Sequence, residues 1–355
     1  MKPSSLATQI KPPKHGGNLD DAIQKYRVPR DKWIDLSSGV SPWSWPFKTL
    51  PDYTWTDLPL SNLALLKNAA RYYQCELEHI TVSPGSQLAI RLIAQQILPS
   101  TVAIPSLGYQ EHRYSWQLAG HKIHYYQSLN ELKSLINSNQ VEHAVVINPN
   151  NPTGELLSAE EINNLAQNLS GLLVVDEAFI DLHQHSSDQQ YQSAITQPHN
   201  NQIVLRSVGK FFGLAGLRVG FVIGTHPIVN KLSQLLEPWS LNHASQHIAT
   251  DMLADTSWHQ SQAIKIQTES KHFENIIQGF SHIILNDFHL SNGGLFITIF
   301  ANENSISQMH ETLAQHGVWT RLHNPTDKHS WIRFSLTKQP MKCQDIFEEI
   351  INTQK

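Results

Sequence analysis

The sequence predicts an α/β fold: a mostly parallel sheet in a large domain, followed by a smaller α+β domain. Three observations carry this. Short apolar runs alternate with turn residues and helical stretches through the middle of the chain, the rhythm of a sheet covered by helices on both faces. At about Pro238 the pattern changes to long helical segments followed by strands. No internal repeat with a period of roughly 20 to 50 residues is visible, which argues against a solenoid or propeller. At 355 residues the chain exceeds the roughly 250 to 300 residues a single core supports. Two unequal domains are therefore expected, 51–237 and 238–355, with residues 1–50 forming an amino-terminal arm.

The elements follow in order. The arm is rich in Pro, Gly and Trp, shows no clear period, and is expected to pack on the small domain or on a second subunit. "SNLALLKNAARYYQ" places Leu63, Leu66, Ala70 and Tyr73 at helical spacing behind a Ser61 cap. Strand, turn and helix then recur in "HITVSPGSQLAIRLIAQQI", "STVAIPSLGYQEHRYSWQLA" and "HKIHYYQSLNELKSLI". "HAVVINPNNPTG" leads into a helix whose Ser158 and Glu161 have capping-box spacing. "LLVVDEAF" and "QIVLRSVG" read as two further buried strands. In the small domain, "SQHIATDMLADT", "HQSQAIKIQTESKHFENIIQGF", "SISQMHETLAQH" and "CQDIFEEIIN" are helical. "GGLFITIF", "GVWTRLH" and "WIRFSL" are strands.

Composition narrows the function. Forty per cent hydrophobic residues, 16 per cent charged and a formal net charge of −4 leave no cationic excess for a nucleic-acid backbone. Cys75 and Cys343 lack CxxC spacing, which supports neither a disulfide framework nor a thiolate zinc site and suits a reducing cytoplasm. The start of the chain lacks the apolar core of a secretory signal, and no segment approaches the roughly 20 apolar residues of a membrane span. His183 and His185, in "DLHQHSSDQQYQ", read as a solvated loop rather than a metal site, because no further ligand stands at a motif spacing.

In an open α/β sheet, ligands bind beyond the carboxyl ends of the strands. After "ITV" comes Gly85-Ser86-Gln87, a glycine turn opening a helix whose N-H groups suit a phosphate; it reads also as ordinary turn chemistry. After "AVVI" comes the amide-rich "NPNNPTG", containing Asn151. After "LLVV" comes Asp176, a carboxylate expected to be buried and so to require a cationic or protonated partner. Its neighbour Glu177 points to water or caps a backbone group. Lys210, in "RSVGKFFGLAGLRVG", stands among Phe211, Phe212, Leu214 and Leu217, where desolvation favours the nucleophilic amine needed for a Schiff base. The bland alternative is a lysine snorkelling to the surface. Together, Gly85, Ser86, Gln87, Tyr109, Asn151, Asp176, Ser207, Lys210 and Arg218 match what an aldehyde-bearing pyridinium with a phosphate requires.

"NPNNPTG", "DEAF" and "SxxKxxGLAGLRxG", in this order, resemble the fold-type I pyridoxal-phosphate (PLP) enzymes, the aspartate aminotransferase superfamily, over nearly the whole chain. The resemblance implies the PLP-dependent transferase fold and the cofactor pyridoxal 5'-phosphate. It implies Lys210 as the cofactor lysine, Asp176 at the pyridine nitrogen, Asn151 at the ring hydroxyl and Tyr109 stacked on the ring. Ser86, Ser207 and Arg218 fall to the phosphate, and Arg333 to the substrate carboxylate. "HGGN", "WIDLSSGVSPWSWP", "GKFFGLAGLRVGF" and "GVWTRL" are similar to the threonine-phosphate decarboxylase branch of cobalamin biosynthesis. That branch takes a small phosphorylated amino acid, L-threonine O-3-phosphate, and releases CO2. Arg321, His15 and Gly16 are then candidates for the substrate, with Arg206 in reserve. Two departures stand out: Ser41, where relatives commonly carry Asn, and Phe179, which lacks the hydroxyl of many aminotransferases. The alternatives are a histidinol-phosphate-type aminotransferase and, from another class, a non-catalytic effector-binding module. The resemblance also implies a homodimer; Trp43, Trp45, Tyr53 and Trp55 read as hydrophobic packing of the arm or as the lining of a subunit boundary over the site.

Overall fold

The computed structural model describes residues 10–59, 61–185, 192–196, 198–323 and 330–353. Contacts divide the chain into two compact units. Among the described residues, the first comprises 10–13 and those of 45–151 and 155–261, and the second those of 14–44, 152–154 and 262–353. These divisions fall at 44/45 and 261/262, where the sequence suggested 50/51 and 237/238.

The first unit is built on seven strands: β1 (Ile80–Ser83), β2 (Thr101–Pro105), β3 (Lys122–Tyr126), β4 (His143–Ile147), β5 (Leu173–Asp176), β6 (Gln202–Ser207) and β7 (Gly220–Ile223). Their order in the sheet is β1-β7-β6-β5-β4-β2-β3. Only β7 is antiparallel to its neighbours β1 and β6; the other pairings are parallel. β4 and β5 are buried along their whole length, as their apolar runs Ala144–Ile147 and Leu173–Val175 require of strands covered on both faces. One face packs Val145, Ile147, Val174, Ile203 and Leu205 against Ile90 and Ile93 of helix Ser86–Gln96 and against Trp116 of helix Glu111–Leu118.

The expected strands and helices of this unit are present, and the capping box of Ser158 and Glu161 is fully formed at the start of helix Ala159–Asn168. Three details differ from the sequence-based expectations. β7 was not foreseen; it is four residues long and sits between turn residues, too short to show a period. In helix Leu63–Tyr73 the buried residues are Leu65, Ala69, Ala70, Tyr72 and Tyr73, whereas Leu63 is exposed. The apolar stripe is thus centred one residue away from the expected one, because Tyr72 joins an aromatic cluster with Phe212 and His259. Asn62 stands at the cap position, although Ser61 Oγ does accept the Leu63 N-H at 3.2 Å.

His185 is likewise no part of a solvated loop. Residues 181–184 form a helical turn, and His185 hydrogen-bonds Tyr72 at 3.0 Å and stacks on Phe211. Residues 186–191 of that stretch, like residues 1–9 of the arm, lie outside the described residues. Among the described residues no group of three or more His, Cys, Asp or Glu is placed to hold a metal, and no helix is long and apolar enough to cross a membrane.

The second unit carries a four-stranded antiparallel sheet in which Phe296–Ala301 lies between His289–Asn292 and Ser330–Ser335, with Arg321–His323 at the far edge. The predicted strand "GVWTRLH" is split at Thr320. Val318–Trp319 pairs in parallel with Ile34–Asp35 of the arm, and only Arg321–His323 joins the larger sheet. The arm, for which no element was foreseen, folds here. Its helix Leu19–Tyr26 buries Ala22 against Trp33 and Ala314, and Trp33 and Trp319 meet edge to face.

Candidate active site

Parallel strands end together, so the sheet delivers its carboxyl-terminal residues to one place. Asp176 closes β5 in register with Leu205, and Ser207 closes β6 and leads into the turn that bears Lys210. Beside them opens a cavity of about 100 Å³ lined by Ser86, Gln87, Tyr109, Ile147, Asn151, Asp176, Ala178, Phe179, Ser207, Lys210 and Arg218. Every predicted cofactor residue except Gly85 lines it. Gly85 lies against Arg218: at φ +76° it holds a conformation that L side chains avoid, and a β-carbon there would lie 2.6 Å from Arg218 Nη2. The guanidinium thus lies against the start of helix Ser86–Gln96, whose first turn receives no side-chain cap. A helix N-terminus and an arginine facing it form a receptor for a dianion. Arg218 itself is exposed and held in the left-handed conformation, at φ +54°.

The loop after β4 is tied down by its own amides. Asn148 exchanges two hydrogen bonds with the backbone of Leu157, at 2.8 and 3.1 Å, and Asn150 Nδ2 donates to Leu107 O at 3.0 Å. These leave Asn151 as the amide on the cavity wall. Tyr109 also lines the cavity and donates its hydroxyl to Gln87 Oε1 at 2.6 Å; burial raises its phenol well above the ordinary value. The apolar surface that meets Lys210 is not the one expected. Phe211 and Phe212 are buried and pack against Trp258, whereas the Lys210 ammonium lies 5.2 Å from the centre of the Phe179 ring.

Asp176 has the partner that its burial requires. His112, fully buried, donates its Nε2-H to Asp176 Oδ2 at 2.9 Å, and the Ala178 N-H binds Oδ1 at 3.1 Å. Sequence reasoning missed His112, although it lies in "PSLGYQEH". Three positions after Tyr109, at the start of a helix, the spacing that puts both on one side was available. Two further expectations are corrected. Glu177 does not point to water: it is completely buried, and it caps a backbone group, accepting the Ala194 N-H at 2.7 Å as well as Ser193 Oγ, with Arg206 Nη1 at 3.4 Å. Arg206 is unavailable to any phosphate, since it is also fully buried and bonds Asp181 Oδ1 at 2.8 Å. Burial opposes its charge, but Asp181 and Glu177 outweigh that and raise its pKa.

The predicted substrate residues gather within the second unit. Arg321 and Arg333 are directly opposite on neighbouring antiparallel strands. Arg333 is buried and donates to Ser37 O at 2.9 Å; Ser37 Oγ accepts the Gly17 N-H at 2.8 Å, and Arg321 donates to Lys14 O. His15 and Gly16 are therefore held beside the two arginines. Only glycine allows so close an approach at 16, where a β-carbon would fall 2.1 Å from Ser37 O. Burial, and after it the charge of Arg321, push the Arg333 guanidinium down to about 9. Ser41 is occupied structurally: its hydroxyl accepts from Gln262 Nε2 at 2.9 Å and bonds Trp43 O at 3.1 Å.

A family model described as aminotransferase class I and II matches residues 56–350. The threonine-phosphate decarboxylase of Pseudomonas aeruginosa is 31% identical over 332 residues, covering 90% of this chain and 95% of that protein. Among solved structures, the histidinol-phosphate aminotransferase of Sinorhizobium meliloti in complex with pyridoxal-5'-phosphate has a TM-score of 0.81 at 17% identity, covering 100% of this chain and 99% of that one. The L-threonine-O-3-phosphate decarboxylase of Porphyromonas gingivalis has a TM-score of 0.70 at 18% identity, covering 90% and 98%. At such identities the two structures speak for the fold alone, a fold-type I α/β architecture. The family match over most of its length, the full-length relative and the converging strand ends agree: the chain belongs to the aminotransferase class I and II family.

Proposed function

We propose that this chain is a PLP-dependent carboxy-lyase that converts L-threonine O-3-phosphate to (R)-1-amino-2-propanol O-2-phosphate and CO2, in cobalamin formation. The observation that carries it is the single cavity onto which Lys210, Asp176, Asn151, Tyr109, Ser207 and Arg218 converge, in a chain whose full-length relative bears the decarboxylase name. The donor set fits PLP. Lys210 is the amine for its aldehyde, Asp176 the carboxylate for its ring nitrogen and Asn151 the amide for its ring hydroxyl. Tyr109 offers a flat face, and Arg218 over Gly85, with Ser86 and Ser207, suits the phosphate.

When bound, PLP supplies a protonated heterocycle able to take up the electron pair released at the substrate's α-carbon. The chain's residues do the rest. Asp176, backed by His112, would be the carboxylate that pairs with the ring-nitrogen proton. Lys210 would be the amine that holds the PLP aldehyde and the group placed to deliver a proton to the substrate's α-carbon. Arg333 holds the substrate carboxylate through its planar fork. Arg321 with the His15-Gly16 loop takes the phosphate, and a bound anion relieves the repulsion between the two guanidinium groups. Whether CO2 or a proton would leave the α-carbon depends on how the site orients the substrate carboxylate. Arg333 would grip a carboxylate in transamination too and does not decide between them. Phe179 brings no hydroxyl to the cavity and leaves Asn151 the ring-hydroxyl contact, which favours the decarboxylase over the aminotransferase.

We also read the protein as a cytoplasmic homodimer with a large cofactor domain and a small substrate domain. Its two cysteines are free, and Tyr53 and Trp55 are 46% and 70% exposed, as a subunit boundary would leave them in a single chain. Trp43 and Trp45 are already engaged, by Lys265 and Asp255.

The decisive experiment incubates the PLP-loaded enzyme with threonine phosphate and follows CO2. Wild type releases it, and Lys210→Ala loses at least about 10³-fold in turnover and is not labelled at 210 by borohydride. Amino transfer to 2-oxoglutarate without CO2 would overturn the assignment in favour of an aminotransferase.

A further inference from the structure

Behind the cavity lies a cluster of charges that touches neither cofactor nor substrate in the scheme above. Glu177, Asp181 and Arg206 are all buried, at 0%, 1% and 0% exposure. Arg206 Nη2 bonds Asp181 Oδ1 at 2.8 Å and Gln184 Oε1 at 2.9 Å; Nη1 reaches Glu177 Oε2 at 3.4 Å and Ser193 Oγ at 3.3 Å. The guanidinium sits 4.5 Å from the centre of the Tyr73 ring. Tyr72 adds its hydroxyl to Asp181 Oδ1 at 2.9 Å.

Glu177 and Arg206 are covalently next to the cavity wall, and Asp181 is two residues from it. Glu177 follows Asp176, and between Glu177 and Asp181 lie Ala178 and Phe179, both on that wall. Arg206 precedes Ser207, also on the wall, and Lys210 follows three residues later. A single planar fork therefore grips both ends of the segment that carries Phe179, from the strand that leads to the lysine. The Glu177 N-H to Leu205 O bond, 2.9 Å, extends the same pairing of β5 with β6.

The cluster is poorly designed for stability alone. Two buried carboxylates compete for one guanidinium, and among the described residues Asp181 Oδ2 and Arg206 Nε have no hydrogen-bond partner. Apolar residues of the same volume often stabilise as well or better than a buried ion cluster. What such residues cannot do is fix two backbone segments at once with directional bonds. Lysine cannot either, being a point charge without the fork.

We propose that Arg206 is a positioning residue of the active site: by clamping Glu177 and Asp181 together, it sets the wall of Asp176, Ala178 and Phe179 against the turn bearing Ser207 and Lys210. The inference rests on the assignment of that cavity to PLP.

The test compares wild type with Arg206→Lys and with the charge-free triple variant Arg206→Met, Glu177→Gln, Asp181→Asn. Folding is followed by far-UV circular dichroism and thermal melting. The site is followed by the PLP Kd and by the pH midpoint of the bound cofactor's visible band. The expected result is that at least one variant melts cooperatively yet binds PLP about tenfold or more weakly, with its band midpoint moved by more than about half a pH unit. A folded variant with wild-type Kd and midpoint overturns the proposal. So does failure of both variants to melt cooperatively, which would make Arg206 a stabilising residue only. If wild type binds no PLP, or Lys210→Ala still develops the visible band, the PLP assignment fails instead.

Discussion

Where β5 ends, strand alternation sends two neighbouring carboxylates to opposite sides, Asp176 toward His112 and Glu177 toward Arg206. The dipeptide shows two acids; only the fold shows that one serves the cavity and the other the cluster behind it. Histidines make the same point and yield a testable pH dependence. Burial pushes His185 and His310 down to about 4 from the ordinary 6.5. Both are neutral in the folded chain where the unfolded chain takes up protons. Their contribution to stability is thus intact above pH 6.5 and lost as pH falls toward 4. His310 is the deeper of the two and bonds Thr320 Oγ1 at 2.7 Å. His310→Gln should therefore show a shallower fall in urea-unfolding free energy between pH 6.5 and 4.5 than wild type. The difference is at most about 1.4 kcal/mol per pH unit; identical pH profiles would contradict it.

Two helix starts carry opposite burdens. Ser158 caps helix Ala159–Asn168 with both halves of a capping box in place, at 2.8 Å from Ser158 N to Glu161 Oε2 and 3.2 Å from Glu161 N to Ser158 Oγ. Ser158→Ala should destabilise by about 1 kcal/mol in denaturant unfolding, with the PLP Kd unchanged. At helix Ser86–Gln96 the cap is Gly85, which offers no side chain and leaves the first turn to a ligand. Gly85→Ala forces a β-carbon against Arg218 and into a glycine conformation. We expect it to cost about 1–3 kcal/mol and also to weaken PLP binding. A Kd equal to that of wild type would remove the helix start from the phosphate site. The capping box was legible from spacing, because its partners are three residues apart. β7 was not, because a short strand is defined by neighbours distant in sequence, here Ile80–Ser83 and Gln202–Ser207.

At the scale of the molecule, the PLP assignment makes a thermodynamic claim. A ligand held by the folded first unit and not by the unfolded chain stabilises it by about 2.7 kcal/mol at a hundredfold excess over Kd. Adding PLP should accordingly raise the melting temperature of the apoprotein by several degrees, and Lys210→Ala should show a smaller rise. An unchanged melting curve for wild type would count against a resident cofactor. On the proposed reading anions should also act on the second unit, where Arg321 and Arg333 stand opposite on neighbouring strands.

The sequence by itself determined the alternation of strands and helices and the order of the residues that end those strands. It also determined the chemical types, lysine, carboxylate, amide and arginine, that the cavity brings together. Each depends on local pattern or on residue identity, both readable along the chain. Tertiary structure alone decided that His112 backs Asp176, that the Phe179 ring lies beside the Lys210 ammonium, and that Arg206 is locked to Glu177 and Asp181. It also decided that the arm, aperiodic in sequence, pairs through Ile34–Asp35 with Val318–Trp319. Those outcomes depend on burial and on partners tens or hundreds of residues away, and a buried charge takes whatever partner the folded chain places within reach.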